Sequence, residues 1–83
     1  MADLPPLPSD IELGTYQHYK GDYYVVIGFA RHSETLEPLV IYRRLDVRIP
    51  DLWARPASMW NELVDGKPRF ERMPEHATAK EPV

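Results

Sequence analysis

One run of polar residues combines most of the side-chain types that bind ligands or transfer protons. The run follows Ala30 and reads Arg31-His32-Ser33-Glu34-Thr35. Side chains that leave the end of a strand together commonly form a binding site. A catalytic triad of His32, Ser33 and Glu34 is disfavoured, because neighbouring side chains on an extended chain point to opposite sides and triads join separate segments. The run therefore predicts a binding site, and we assign no catalytic residue.

The same run also has a purely structural interpretation, which is a capped turn. Ser33, Glu34 and Thr35 would then form hydrogen bonds with backbone groups. Arg31 would pair with the carboxylate of Glu34 or of Glu37. The sequence leaves the binding interpretation and the capped-turn interpretation open.

An aromatic residue precedes an arginine in two consecutive predicted strands. Tyr42 and Arg43 lie in one of them, and Trp53 and Arg55 lie in the next. Rings and guanidinium groups on adjacent strands either stiffen a barrel wall or form a platform for a planar group. Arg31 and Arg55 are the pair that we expect to hold a carboxylate or phosphate, because planar guanidinium groups suit bidentate contacts.

These observations predict a cleft at one end of the domain that recognises a small planar or anionic group, free or part of a nucleic acid or protein. Its predicted residues are Arg31, His32, Glu34, Tyr42, Trp53 and Arg55. One alternative is a small enzyme or accessory subunit that acts on a nucleotide-like substrate, with His32 and Glu34 as acid and base. Another is an interaction domain that docks a partner protein on a strand edge or on its Pro-rich tail.

Composition and charge disfavour several other classes of protein. The chain has no Cys, and His18, His32 and His76 lack short ligand spacing, so we predict no metal site and no cofactor. Residues 14–72 carry nine basic and eight acidic side chains, which predicts no strong nonspecific binding to duplex DNA. No apolar stretch reaches the roughly 18 residues of a membrane span. With no signal-peptide pattern at its start, the chain is predicted to be cytoplasmic.

The elements that must position these residues are short strands, since turn signals interrupt the apolar runs every few residues. The predicted fold is mainly β, a small five-stranded barrel with one short helical turn. Lys20-Gly21-Asp22 and Asp65-Gly66 are the clearest turn signals. The predicted strands are Thr15–Tyr19, Tyr23–His32, Leu39–Leu45, Leu52–Arg55 and Lys67–Met73. The helical turn is predicted over 56–63, where Met59 and Leu63 are four residues apart.

The second strand is predicted to be central, because both of its faces are apolar. One face is predicted to carry Tyr24, Val26, Gly28 and Ala30, and the other Val25, Ile27 and Phe29. The small residues Gly28 and Ala30 suggest a close crossing at a barrel bend. The predicted barrel spans residues 14–72. We predict that the Pro-rich segment 1–13 and the segment 73–83 are disordered tails.

Several short motifs resemble one known family. They are His18-Tyr19-Lys20-Gly21, Ala30-Arg31-His32-Ser33-Glu34-Thr35, Val40-Ile41-Tyr42-Arg43, Leu52-Trp53-Ala54-Arg55-Pro56 with Met59, and Pro68-Arg69-Phe70. Over about residues 14–72 the chain is similar to the small, mostly bacterial proteins catalogued as domain of unknown function 1653. The resemblance implies a small barrel of the Src-homology-3-like kind and implies no particular activity. The chain departs from the pattern at Asp46, where an aromatic is expected, and at Trp60, where Phe is usual.

Overall fold

A computed structural model describes residues 4–46 and 51–74, and within them the fold is mainly β, as predicted. The elements are β1 (Gly14–His18), β2 (Tyr23–Arg31), β3 (Pro38–Arg44), β4 (Trp53–Pro56), a 3-10 helical turn (Ala57–Met59), β5 (Leu63–Val64), β6 (Lys67–Pro68) and β7 (Phe70–Arg72). Both predicted turns are confirmed. Gly21 has a φ of 110°, and Asp65 and Gly66, with φ values of 54° and 82°, join β5 to β6.

Five strands form one antiparallel sheet in the order β4-β3-β2-β1-β7, and β5 and β6 form a separate hairpin. The central position predicted for β2 is confirmed. The sheet is strongly coiled, because the rings of Tyr42 on β3 and Phe70 on β7 lie 5.5 Å apart although three strand spacings separate them. In a flat sheet that separation would be about 14 Å. Within the described residues no backbone pairing joins β4 to β7, so closure into a barrel is not confirmed.

A β-bulge in β2 changes which side chains face the core. The register against β3 shifts between Val26 and Gly28. Ile27 is consequently 45% exposed, whereas Phe29 packs against the core. The predicted alternation, which grouped Phe29 with Val25 and Ile27, is wrong beyond Val26, because one extra residue moves the following side chains to the opposite face. The close crossing predicted at Gly28 is wrong, because an added Cβ there would meet nothing within 4 Å.

The core lies on the concave face of the sheet, and Trp60 fills it. The buried apolar residues are Ile11, Tyr16, Val26, Val40, Tyr42, Trp60 and Phe70. Trp60 is 0% exposed and stacks on Phe70 with ring centroids 4.1 Å apart. The helical turn predicted over 56–63 is confirmed only for Ala57–Met59, and Met59 and Leu63 are exposed. Trp60 therefore plugs the concave face, and losing a buried ring of this kind typically costs about 3–5 kcal/mol.

The segment before β1 contacts this core. Ile11 is 6% exposed, and the Tyr16 hydroxyl donates a hydrogen bond to the Glu12 carbonyl over 2.7 Å. Asn61 Nδ2 donates to Asp10 Oδ2 over 3.2 Å. Ile11 thus belongs to the core although it precedes residue 14, where the predicted domain begins. The division into one domain with disordered tails over 1–13 and 73–83 stays a prediction, and residues 1–3 and 75–83 of those tails lie outside the described residues.

Candidate functional site

The loop after β2 is a capped turn in which His32 is the cap. His32 Nδ1 accepts hydrogen bonds from the backbone N–H groups of Glu34 and Thr35, over 3.1 and 3.3 Å. Leu36 closes the turn with a φ of 67°, and its N–H donates to the His32 carbonyl over 2.8 Å. These bonds engage one ring nitrogen of His32 in the fold.

Arg31 bonds to backbone carbonyls at this end of the sheet. Its Nη1 donates to the Pro5 carbonyl over 2.6 Å and to the Leu36 carbonyl over 3.3 Å. Of the three predicted capping side chains, Thr35 caps the turn, since its Oγ1 accepts the Glu37 N–H over 3.2 Å, and His32 caps it in place of Ser33 and Glu34. Neither Glu34 nor Glu37 forms the predicted ion pair with Arg31 among the described residues.

Two arginines from opposite edges of the sheet meet at one carboxylate. Arg55 Nη2 on β4 donates to Glu62 Oε1 over 3.0 Å, and Arg55 Nε donates to the Met59 carbonyl over 3.3 Å. Arg69 Nη2, just before β7, lies 3.8 Å from the same Glu62 oxygen. Only the coiling of the sheet and the Trp60 plug allow this meeting, because the edge strands of a flat five-stranded sheet are about 19 Å apart.

Exposed rings flank this pair of arginines. The Arg69 guanidinium lies 5.8 Å from the centre of the Tyr19 ring, and Tyr19 is 43% exposed. On the other side Trp53, which is 48% exposed, lies 6.2 Å from the buried ring of Tyr42. Trp53 and Arg55 are alternate residues of β4, so they share one face of the sheet. We call the residues Tyr19, Trp53, Arg55, Glu62 and Arg69 the arginine-aromatic surface.

Two guanidinium groups facing one carboxylate give this surface one excess positive charge, and two neighbouring side chains have shifted pKa values. Burial lowers the pKa of His18, and Arg69 and Lys20 lower it further. Burial raises the pKa of Tyr42, while Arg55 acts in the opposite direction. His18 Nδ1 also accepts the backbone N–H of Lys20 over 3.1 Å, a bond that requires this nitrogen to be unprotonated.

The structure divides the six predicted site residues into two groups. Tyr42 and Trp53 are paired residues in the row of Val26, and Arg55 lies on the same face. Arg31 lies two strands away from Arg55 and about 7 Å further along the strands, because Arg55 is in the row of Phe29, two residues before Arg31, and His32 and Glu34 follow Arg31.

The two groups are held by different parts of the fold. Arg31 contacts Pro5 and Leu36, whereas Arg55 contacts Met59 and Glu62. A single cleft that contains all six residues stays a prediction.

Sequence reasoning missed Glu62, Arg69 and Tyr19 as site residues. Arg69 and Tyr19 stand inside motifs that carry the family resemblance, which is the only signal that pointed to them. Glu62 carries no sequence signal, because its partners come from β4 and from the chain before β7. Among residues 4–46 and 51–74, no three His, Asp or Glu side chains are grouped so that they could hold a metal ion. No helix in these ranges is long and apolar enough to cross a membrane.

Comparison with known proteins assigns the family. Residues 14–72 match the family model described as protein of unknown function, DUF1653. The chain belongs to this family. The crystal structure of a DUF1653 protein from Bordetella bronchiseptica is 42% identical, with a TM-score of 0.68, over 77% of this chain and 88% of that chain. No curated protein sequence matches the chain significantly. The resemblance predicted from the motifs is confirmed, and because DUF1653 has no described activity, function must be argued from the site.

Proposed function

We propose that this DUF1653 protein is a binding module that holds a planar anionic group on the arginine-aromatic surface. The observation that carries the proposal is that Arg55 and Arg69 converge on the single carboxylate of Glu62, with the exposed Tyr19 ring 5.8 Å from Arg69 and the exposed Trp53 on the same face of β4 as Arg55. One carboxylate balances one of the two guanidinium charges. The remaining positive charge attracts an anion, and the neighbouring rings offer a face for stacking.

Arg69 is the arginine that we expect to contact the anion. Its Nη2 is 3.8 Å from Glu62, beyond hydrogen-bond distance, whereas Arg55 makes a bond of 3.0 Å. Its Nε also has no hydrogen-bond partner in the described part of the chain, but this atom is buried, so the Nη groups are the donors that a ligand can reach. Arg44 provides the contrast, because its guanidinium lies 3.3 Å from both Asp22 and Asp46. Arg44 is therefore saturated by carboxylates, and Arg69 retains unused donors.

The remaining parts of the proposal concern architecture and setting. The Glu62 bridge between opposite edges of the sheet supports a barrel of the Src-homology-3-like kind, with the arginine-aromatic surface where the edges approach. We further propose a cytoplasmic location and only weak binding to generic duplex DNA at physiological salt. The DNA proposal rests on the nearly balanced charge of residues 14–72.

The test compares AMP, a planar anion, with its two parts, adenosine and inorganic phosphate. Titration calorimetry on the full chain should show tighter binding of AMP than of either part. Arg55→Gln and Arg69→Gln should each weaken AMP binding by about tenfold, the typical value of a charge-assisted hydrogen bond. Arg43→Gln is the matched control, because Arg43 pairs with Val25 on the opposite face of the sheet, and it should leave the affinity unchanged.

Two results would contradict the proposal. One is equal binding of AMP and phosphate, which would show that the rings contribute nothing. The other is AMP binding that survives both Arg55→Gln and Arg69→Gln. If none of the three compounds binds, the interaction domain becomes the better account of the protein.

A further inference from the structure

The last strand of the sheet has an unpaired edge. β7 pairs only with β1 among residues 4–46 and 51–74, in a register that places Glu71 opposite Gln17. The flanking bonds, from Tyr19 N–H to the Arg69 carbonyl and from Met73 N–H to the Thr15 carbonyl, show which pairs exchange hydrogen bonds. Because bonded and non-bonded pairs alternate in antiparallel sheets, the N–H and C=O groups of Phe70 and Arg72 point away from β1.

Two depressions lie beside this edge, one on each face of the sheet. The larger, of about 450 Å³, is lined by Tyr16, Phe70 and Arg72 on the core side. The smaller, of about 260 Å³, is lined by Gln17 and Tyr19 among others. Both include Pro68 and Glu71. A strand added to β7 would send alternate side chains toward opposite faces, so successive side chains would enter the two depressions in turn.

The charges at this edge indicate which partner fits it. Glu71 lines both depressions and pairs with Gln17, whose face carries the smaller depression and the cation Lys67. The larger depression carries Asp10, Glu12 and Arg72 on the core side. Arg72 lies 3.7 Å from Glu12, whereas Glu71 forms no ion pair among the described residues, so Glu71 is the carboxylate that a basic side chain on an added strand can pair with.

A second copy of this chain fits the edge poorly. Two β7 strands can pair symmetrically through the outward backbone groups of Phe70 and Arg72. The two Glu71 side chains would then lie directly opposite each other, and a cross-strand pair of like charges is destabilising.

We infer that the β7 edge binds an extended segment of a partner protein that carries Lys or Arg at alternate positions. The segment adds a sixth strand beside β7, with its backbone bonded to Phe70 and Arg72 and a basic side chain opposite Glu71. This site is separate from the arginine-aromatic surface and does not depend on the function proposed for it.

The test uses two fluorescein-labelled nine-residue peptides, one alternating Lys with Val and one alternating Glu with Val. Fluorescence anisotropy with the full chain should show binding of the Lys peptide in preference to the Glu peptide. Glu71→Lys should weaken binding of the Lys peptide by about tenfold and strengthen binding of the Glu peptide, because a like-charge cross-strand pair replaces an opposite-charge pair. Glu37→Lys makes the same charge change beside Pro38, at the opposite end of β3 from the row of Glu71, Gln17 and Tyr23, and should alter neither affinity.

Amide hydrogen exchange locates the bound peptide. The amides of Phe70 and Arg72 should exchange quickly in the free protein and slow at least tenfold when the Lys peptide binds, as newly bonded amides do. Three results would overturn the inference: equal effects of Glu71→Lys and Glu37→Lys, slow exchange of both amides already in the free chain, or protection confined to Trp53 and Arg55.

Discussion

Replacing Glu62 with Gln should change stability and ligand affinity in opposite directions. The Arg55 and Glu62 charges are 3.0 Å apart, with side chains 21% and 40% exposed. Their Coulomb energy is about 1.4 kcal/mol in water and about 5.5 kcal/mol at an effective dielectric constant of about 20. Desolvation and side-chain ordering offset much of this, and Gln retains a hydrogen-bond acceptor. We therefore expect Glu62→Gln to lower the free energy of unfolding by about 1–2 kcal/mol.

The same substitution should strengthen anion binding. An anion seated on the Arg69 guanidinium would lie near the Glu62 carboxylate, and their repulsion at a separation of about 5 Å is about 0.8 kcal/mol even at the dielectric constant of water. AMP should therefore bind at least about fourfold more tightly to the Glu62→Gln protein. Urea unfolding followed by Trp fluorescence measures the stability, and titration calorimetry measures the affinity.

Glu37→Gln is the control for the Glu62 substitution, because it removes one negative charge beside the turn at 32–36, outside the arginine-aromatic surface. It should leave both quantities nearly unchanged. The reasoning is refuted if Glu62→Gln weakens AMP binding, or if Glu37→Gln strengthens it equally, since the effect would then come from net charge alone.

Three further predictions test the fold. Gly14→Ala should lower the free energy of unfolding, measured by urea titration, by about 2 kcal/mol, because Gly14 has a φ of 123° and a Cβ there would lie 2.8 Å from Arg72 Nη2. An unchanged urea midpoint would contradict this conformation of Gly14. The pKa of His18, followed by NMR of its ring protons, should lie below the ordinary 6.5 because the ring is partly buried. The unfolded chain then binds the proton more tightly than the folded chain. The His18 contribution to stability should therefore be complete above about pH 6.5 and fall as the pH drops toward the folded-state pKa. A measured His18 pKa above 6.5 would reverse this dependence of stability on pH. Val26→Ala should lower the free energy of unfolding by about 2 kcal/mol and Ile27→Ala by less than about 1 kcal/mol, because Val26 is 1% exposed and Ile27 is 45% exposed. Equal losses for the two variants would exclude the bulge.

Strand positions and turns could be predicted from local pattern, because turn chemistry and β-branched runs act over a few residues. The strand predicted over Tyr23–His32 is observed as Tyr23–Arg31 and is central. The bulge at Ile27 could not be predicted. The residues around Ile27 are apolar on both faces of the strand, so one extra residue leaves no visible change in the sequence pattern. The role of Trp60 was missed for a related reason: one aromatic residue in a short polar segment has no periodicity to indicate burial.

The candidate site was predicted in part. Trp53 and Arg55 lie at the arginine-aromatic surface because alternate residues of a strand share a face, which sequence can indicate. The convergence of Arg55 and Arg69 on Glu62 depends on the coiling of the whole sheet, and no local spacing encodes it. Arg31 was grouped with Arg55 because both were expected at one barrel end, whereas the structure bonds Arg31 to carbonyls near the His32 turn.

The most direct test of the proposed function is an NMR titration of the wild-type full chain with AMP, followed at backbone amides, the Trp indoles and the Arg Nε–H groups. Saturable shifts should concentrate at Tyr19, the Trp53 indole and the Nε–H groups of Arg55 and Arg69, while the turn at 32–36 stays unperturbed. Shifts confined to that turn, or no saturable shift at AMP concentrations up to about 10 mM, a range that detects even millimolar binding, would contradict the proposed binding site.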